Sequence, residues 1–511
     1  MAKDLKGSYQ QLMDRSRRLT VLRTASGIIQ WDMETKMPPK GVEQRSEQLS
    51  LLDLIAHKEI VDPAVGALLD SIEKDKKYAA MGEMQKRNVH LFRKAYNEEA
   101  KIPDELVAET SKQATICVNV WKRAKAAKDF SVFSPELGKM IALREKAADI
   151  LMEVKGTKTP YDALLDSFEP GMTAERISEI FTGMRKGLMG IMKKVESSGV
   201  KPDVELITKK VPVEAQRKIG QMAMDFVGYD TTSKEAGGRL DETEHPFSTG
   251  YFDDVRITTH YHEDRWTSSL FSVLHESGHA LYEQNIEPSW KWQPIGNACS
   301  YGIHESQSRF VENIVGRSPE FLEHMLPKLR KVCGPALKGV RLDRFVAAVN
   351  HVEASKIRIE ADEVTYGLHI IIRFEVEKDI FSGKAKVNEL PQLWNEKYDK
   401  YLGMEIQHDS EGVMQDTHWA GGAFGYFPSY ALGNIYGGMF LRKMDKDVPD
   451  WRAAVKEGNY VPVGSWLKQN VHSKGNLYDP ADLVRNVTGK NLEIEPFIAY
   501  LKGKMGKIYG F

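Results

Sequence analysis

Cysteine is scarce in this chain: Cys117, Cys299 and Cys333 are the only three in 511 residues, and no pair has C-x-x-C spacing. That excludes a disulfide framework and a thiolate zinc site, and it points to a reducing compartment. A charge excess is missing too. Lys and Arg number 71 against 72 Asp and Glu, so the net charge of −1 gives nucleic acid or an anionic membrane no electrostatic hold. No stretch is apolar for long enough to span a bilayer, and residues 1–7 lack the apolar centre of a signal peptide. We therefore expect a cytoplasmic protein with neither nucleic acid nor membrane as partner. No Gly/Ser tract, Pro-rich linker, like-charge block or fixed-period repeat interrupts the chain. This favours one domain over 1–511 and argues against a solenoid.

Apolar residues recur at three- and four-residue spacing over 5–31, 42–56, 82–100, 104–127, 135–154 and 173–195, which predicts helix after helix. Pro and Gly punctuate the junctions, as at Met37-Pro38-Pro39-Lys40-Gly41 and Glu169-Pro170-Gly171. The texture changes between about 237 and 264, where 254–262 alternates and is rich in β-branched residues, the pattern of a strand in a small sheet. Such a strand either pairs its edge with an extended peptide or only closes the core. The helical pattern resumes over 310–315, 346–377 and 390–402. The segment 412–438 is dense in Gly and aromatics and reads as an irregular pocket wall.

The chemistry is concentrated in His275-Glu276-Ser277-Gly278-His279, inside a Pro-free apolar run from Trp266 to Glu283. On a helix, residues four apart share a face, so both imidazoles can hold one Zn²⁺ while Glu276 reaches a water beside it. An ordinary helix with core histidines is the other reading. Of 14 histidines, only His57 and His90 precede position 245 and only His472 follows 418, a clustering that suits a metal site and its surroundings. A third ligand is needed. The H-E-x-x-H-x-x-G-x-x-H class is excluded, because Tyr282 and Asn285 stand where its Gly and last His belong. That leaves a Glu from a following helix, with Glu305 preferred and Glu283 as the alternative.

The set His245-Pro246-Phe247, Asp254-x-Arg256-x-Thr258, His275-Glu276-x-x-His279, His304-Glu305-Ser306-Gln307, Ile357-Arg358-x-x-Ala361-Asp362-x-x-Thr365-Tyr366 and Gly412-x-x-Gln415-Asp416-x-His418-Trp419 resembles the thermostable (Taq-type) zinc metallocarboxypeptidases. Trp31-Asp32 and Met37-Pro38 look similar as well; the first 240 residues otherwise match mainly in helical character. The resemblance implies a mostly α, zincin-like fold: a large single helical domain with a deep active-site groove, a small β-sheet beside the metal helix, and a homodimer. Within it, 1–236 would be helical scaffold and groove wall, 237–440 the metal site and substrate-binding core, and 441–511 a C-terminal helical closure. It implies His275, His279 and Glu305 as zinc ligands, with Co²⁺ or Mn²⁺ as substitutes, and Glu276 as general base.

The expected reaction removes single residues from peptides with a free C-terminus. A carboxypeptidase needs a cation at that carboxylate, preferably a guanidinium. Arg358 is the candidate; on the residues alone a solvated or ion-paired Arg on a charged helix is the commoner reading, and the family likeness reverses the preference. Arg256 either assists or braces Asp254. His418, Tyr426 and Tyr430 are candidates for stabilising the oxyanion, with the choice between the tyrosines open. His245 and His304 touch substrate or brace loops. A related oligopeptidase or dipeptidyl carboxypeptidase is the alternative enzyme, and a helical binding or scaffold protein the alternative of another class.

Overall fold

The computed structural model describes residues 4–511 and is 69% helical with one three-stranded sheet. The first helix, Leu5–Thr35, starts where the Asp4 carboxylate accepts from the Gly7 amide at 2.9 Å, satisfying one orphan donor of the first turn. The expected helices follow as Val42–Val61, Glu83–Lys101, Asp104–Ala127, Phe130–Lys155 and Ala174–Ser198. Phe130–Lys155 begins earlier than the pattern over 135–154 implied. Its cap is Asp129, whose side chain accepts from Ser131 N.

Apolar spacing misleads over 346–377. Instead of one helix there are two, Leu342–Val349 and Tyr366–Phe381, joined by a loop with a single 3₁₀ turn at Arg358–Glu360. Side chains compete for the backbone here. Asn350 Nδ2 donates to Val346 O at 2.9 Å and closes the first helix, while Asp362 accepts from Val364 N, Thr365 N and Thr365 Oγ1 and restarts the second. In 412–438 the irregular stretch ends at Pro428, which opens the helix Pro428–Asp447.

The sheet comprises β1 (Gly238–Glu242), β2 (Ser248–Tyr251) and β3 (Asp254–Thr259), with β3 central, parallel to β1 and antiparallel to β2. Val255 and Ile257 point into the core, and the alternation expected over 254–262 ends as a strand at Thr259. β2 is an edge strand.

Buried apolar side chains form two separate clusters. The larger runs from Cys117 to Tyr509; the smaller, between Leu12 and Phe92, packs the first helices on one another. The two regions meet through polar contacts: Ser16 Oγ donates to Trp292 O at 2.8 Å, Asn88 Nδ2 to Gln293 Oε1 at 2.7 Å and Arg87 Nε to Asn476 O at 2.9 Å.

The helix Trp266–Gln284 crosses the helix Tyr301–Arg309, which in turn lies on Pro428–Asp447. Both crossings need glycine. A Cβ on Gly278 would sit 2.6 Å from Gln307 O, and one on Gly433 would sit 2.8 Å from Glu305 Cβ and Cγ. Gly433→Ala is therefore expected to destabilise by about 1–3 kcal/mol through overpacking. Exposed Gly190, in open space within Ala174–Ser198, should gain about 0.5–1 kcal/mol on replacement by Ala. Denaturant midpoints of the two variants check both signs.

Candidate metal centre and substrate groove

His275 and His279 lie one turn apart on the helix Trp266–Gln284, and Glu305 reaches them from Tyr301–Arg309. Glu305 Oε2 stands 3.6 Å from His275 Nε2 and 3.4 Å from His279 Nε2. One ligand atom from each of the three residues lies within 4.8 Å of the others.

The far sides of the imidazoles are also engaged, and this fixes their tautomers. Glu312 Oε2 accepts from His275 Nδ1 at 2.9 Å, so the His275 Nε2 lone pair faces Glu305. Glu283 Oε1 accepts from His304 Nε2 at 2.9 Å, so in a neutral His304 Nδ1 is the acceptor, and the neighbouring His279 Nδ1 donates to it. His279 Nε2 is then also a free lone pair. Glu283, the alternative third ligand, thus faces His304 and not the centre.

Charge supports the same assignment. Burial pushes His279 down to about 3, so the imidazole is neutral at pH 7. Burial opposes ionisation of Glu305, but Arg309 and His275 hold its carboxyl well below the usual range. Arg309 Nε donates to Glu305 Oε1 at 2.7 Å and Ser308 Oγ to Oε2 at 3.1 Å. Burial opposes charge on His275, but Glu305 and the Glu312 hydrogen bond raise it above its ordinary value, so a bound ion would take the place of a proton on that ring. Two imidazoles and one carboxylate converging on one point are a fitting donor set for a divalent ion, with a coordination position to spare.

Glu276 is 6% exposed, and burial pushes its carboxyl up to about 7, near the balance point for taking and returning a proton at neutral pH. With His275, His279 and Glu305 it lines a cavity of about 820 Å³. Tyr426 and Tyr430 form part of the opposite wall, the edge strand β2 another, and Arg87, His90 and Lys94 of the helix Glu83–Lys101 a third. Phe168, Tyr301 and Tyr426 meet edge to face at 5.1–5.5 Å between ring centres.

The remaining candidates are spread around this cavity. His418 lies behind the tyrosines, with Nε2 3.4 Å from Tyr430 Oη; burial pushes it down to about 4 and keeps it neutral. Arg358, Arg256 and His245 do not line the cavity. Arg358 is buried on its 3₁₀ turn, where Nε and Nη2 donate to Asp416 Oδ1 at 3.1 and 2.8 Å and Nη1 to Tyr366 Oη at 3.1 Å. Its guanidinium carbon is 5.0 Å from the centre of the Tyr430 ring. Arg256 donates twice to Asp254, at 2.8 Å each, and lies 4.4 Å over Trp31. His245 is exposed in the loop between β1 and β2, whereas its neighbours Pro246 and Phe247 do line the cavity.

Glu312, Phe168 and Tyr301 escaped the reading of the sequence. Glu312 had a usable signal, since it follows Glu305 by seven residues and so returns to the same face two turns later. Arg373 was also missed: its Nε donates to Asp416 Oδ2 at 2.7 Å, so two guanidiniums share one carboxylate. Glu377 holds the next stretch of chain, accepting from Trp419 Nε1 at 2.7 Å, Gly425 N at 2.9 Å and Tyr161 Oη at 2.7 Å.

The chain matches the description "Carboxypeptidase Taq (M32) metallopeptidase" over residues 11–505. It belongs to that family. It is 38% identical to carboxypeptidase 1 of Bacillus subtilis, with 98% of each chain covered. It is also 38% identical to thermostable carboxypeptidase 1 of Thermus thermophilus, over 98% of this chain and 99% of the other. The crystal structure of the M32 carboxypeptidase from Deinococcus radiodurans superposes with a TM-score of 0.94 at 34% identity, covering 99% of this chain and 100% of that one. An M32 carboxypeptidase is a peptide hydrolase that works with a divalent metal, and the His275, His279 and Glu305 cluster is where this chain would hold it.

In this M32 enzyme Glu312→Gln and Glu283→Gln should each lower metal affinity about 10- to 100-fold by releasing an imidazole from its tautomer. Chelator competition measures it, and unchanged affinity in both would remove the orienting role. Burial also pushes Glu377 from its ordinary 4.5 to about 7. The native state then binds this proton more tightly than the unfolded chain, so the contribution of Glu377 to stability is fully present below pH 4.5 and is lost as pH rises through about 7. The loss is on the order of 3 kcal/mol. Glu377→Gln should flatten this slope in unfolding curves recorded across that range.

Proposed function

We propose that this protein is a zinc-dependent carboxypeptidase of broad specificity that removes single amino acids from peptide C-termini, with Glu276 as general base. The observation that carries the reading is a buried carboxylate, Glu276, that joins no ion pair among the described residues, beside a His₂Glu donor set in the same cavity. His275, His279 and Glu305 would hold the ion, with Co²⁺ or Mn²⁺ as substitutes. When bound, a divalent ion supplies Lewis acidity to a scissile carbonyl and acidifies an adjacent water. Glu276 takes the proton from the attacking water and returns it to the departing amine. Tyr430 and Tyr426 stay protonated because burial raises both phenols, so either hydroxyl can donate to the developing oxyanion, with neutral His418 backing Tyr430.

Arg358 is assigned to the free C-terminal carboxylate. Its support is charge: Asp416 neutralises one guanidinium of the Arg358 and Arg373 pair, leaving the cluster beside Tyr430 net positive. Arg256 and His245 take supporting roles at the substrate end, Arg256 by way of Asp254 and His245 by way of the loop that carries Phe247. The unpaired edge of β2 suits an extended peptide backbone. We read the chain as one domain whose first helices wall the groove. Cytoplasmic residence accords with three free, buried cysteines and with the absence, among the described residues, of any helix long and apolar enough to cross a membrane. A homodimer is carried by the family likeness alone.

Glu276→Gln should retain about one zinc per chain yet lose hydrolysis; full activity in that variant would overturn the mechanism. A peptide and its C-terminally amidated twin separate the exopeptidase from an oligopeptidase, since only the free acid should yield a ladder of single-residue losses. Arg358→Lys, which keeps the charge but loses the fork, should raise KM for the free acid about tenfold or more.

A further inference from the structure

A second cavity, of about 1010 Å³, lies outside the groove and shares none of its lining residues. Seven Lys and Arg side chains line it, five of them already paired with Glu312, Asp203, Glu493, Asp445 and Glu363. Among the described residues Lys201 and Lys507 join no ion pair, and Lys504 is on the wall with its side chain only 8% exposed. Between these cations the surface is apolar: Val200, 43% exposed, faces the cavity together with Leu342 and Ile508. Asn350, also on the wall, spends both N–H bonds on Arg317 O and Val346 O, and its buried Oδ1 has no donor.

One segment that links this cavity to the metal centre carries a metal-side acid. Phe310–Val315 is a π-helix, a wide turn that proteins use at functional sites. On one side its Glu312 accepts from His275 Nδ1 at 2.9 Å. On the other, Ile314 lines the second cavity, and Asn313 O accepts from Tyr500 Oη and Lys504 Nζ at 3.1 Å each. Arg317 joins the sides: it lines the cavity with a quarter of its side chain exposed, and its Nη2 donates to Glu312 Oε1 at 3.3 Å, a long bond for a charged pair.

We propose that this cavity binds a multivalent anion on an apolar or aromatic body, of the organic-phosphate class, and that the bound anion draws Arg317 from Glu312 and so loosens His275 at the metal centre. The two unpaired lysines, Lys201 and Lys507, select the anion, and the apolar floor selects its body. The binding site stands independently of the proposed reaction; the effect on the metal centre rests on the His275, His279 and Glu305 assignment.

The test uses the zinc-loaded enzyme with ATP and inorganic triphosphate as probes. Calorimetry should give one saturable ATP site per chain, about tenfold tighter than triphosphate, and at least about tenfold weaker in the double variant Lys201→Ala/Lys507→Ala. Both lysines are exposed and remote from the groove, so peptide hydrolysis in that variant without ATP should equal wild type. ATP should also speed loss of zinc to a chelator in wild type but not in the double variant. No saturable binding, or equal affinity in the variant, overturns the site. Faster zinc loss that persists in the variant means direct chelation by ATP and overturns the coupling, and unchanged zinc loss despite confirmed binding overturns it as well. Failed hydrolysis with intact ATP binding would instead count against the proposed reaction alone.

Discussion

The structure turns on keeping a negative charge buried at Glu305. A carboxylate withdrawn from water costs several kcal/mol unless its partners are as well placed as the water it gave up. Here the charge is met by Arg309 on one oxygen and by Ser308 on the other. Arg309 in turn bridges to Glu312, which Arg317 also contacts, so acidic and basic groups alternate along one buried row. The glycines at 278 and 433 make sense in this light. They let three helices approach closely enough that Glu305 is buried between them.

The same device recurs on the substrate side. The stretch from Gln415 to Tyr430 is too rich in glycine and turns to hold itself by helical hydrogen bonds. Asp416 is pinned between Arg358 and Arg373, and Glu377 accepts from both Trp419 and Gly425. His418 lies between these anchors and Tyr426 just beyond them. Their positions are therefore set by buried charges on the helix Tyr366–Phe381 and on the 3₁₀ turn before it. Rigid placement of this kind suits groups that must meet a charge only as it develops.

The groove has two walls of different character. The metal helix, β2 and the aromatic residues belong to the large core, whereas Arg87, His90 and Lys94 come from helices with an apolar cluster of their own. Polar contacts join the two. The other side of the metal centre is different again, because the π-helix Phe310–Val315 sends Glu312 to His275 and Ile314 to the second cavity.

Local pattern was enough for the helices of the first half, for β3, and for the pair His275 and His279, because spacing along one helix is a property of the chain itself. It was also enough to reject Tyr282 and Asn285 as parts of a longer motif. It failed over 346–377, where Asn350 and Asp362 divert backbone hydrogen bonds that periodicity takes for granted, and it put Arg358, solvated or ion-paired, on a charged helix when it sits on a 3₁₀ turn, buried and ion-paired to Asp416. It left Glu283 and Glu305 both open as third ligand, since each is a Glu near the motif in sequence. Only the crossing of two helices at Gly278 brings Glu305 onto the imidazoles and turns Glu283 toward His304. Sequence alone thus decided which residues can share a helical face. Which charges share a buried site was decided by the tertiary fold, because burial and close approach depend on contacts between elements far apart in the chain.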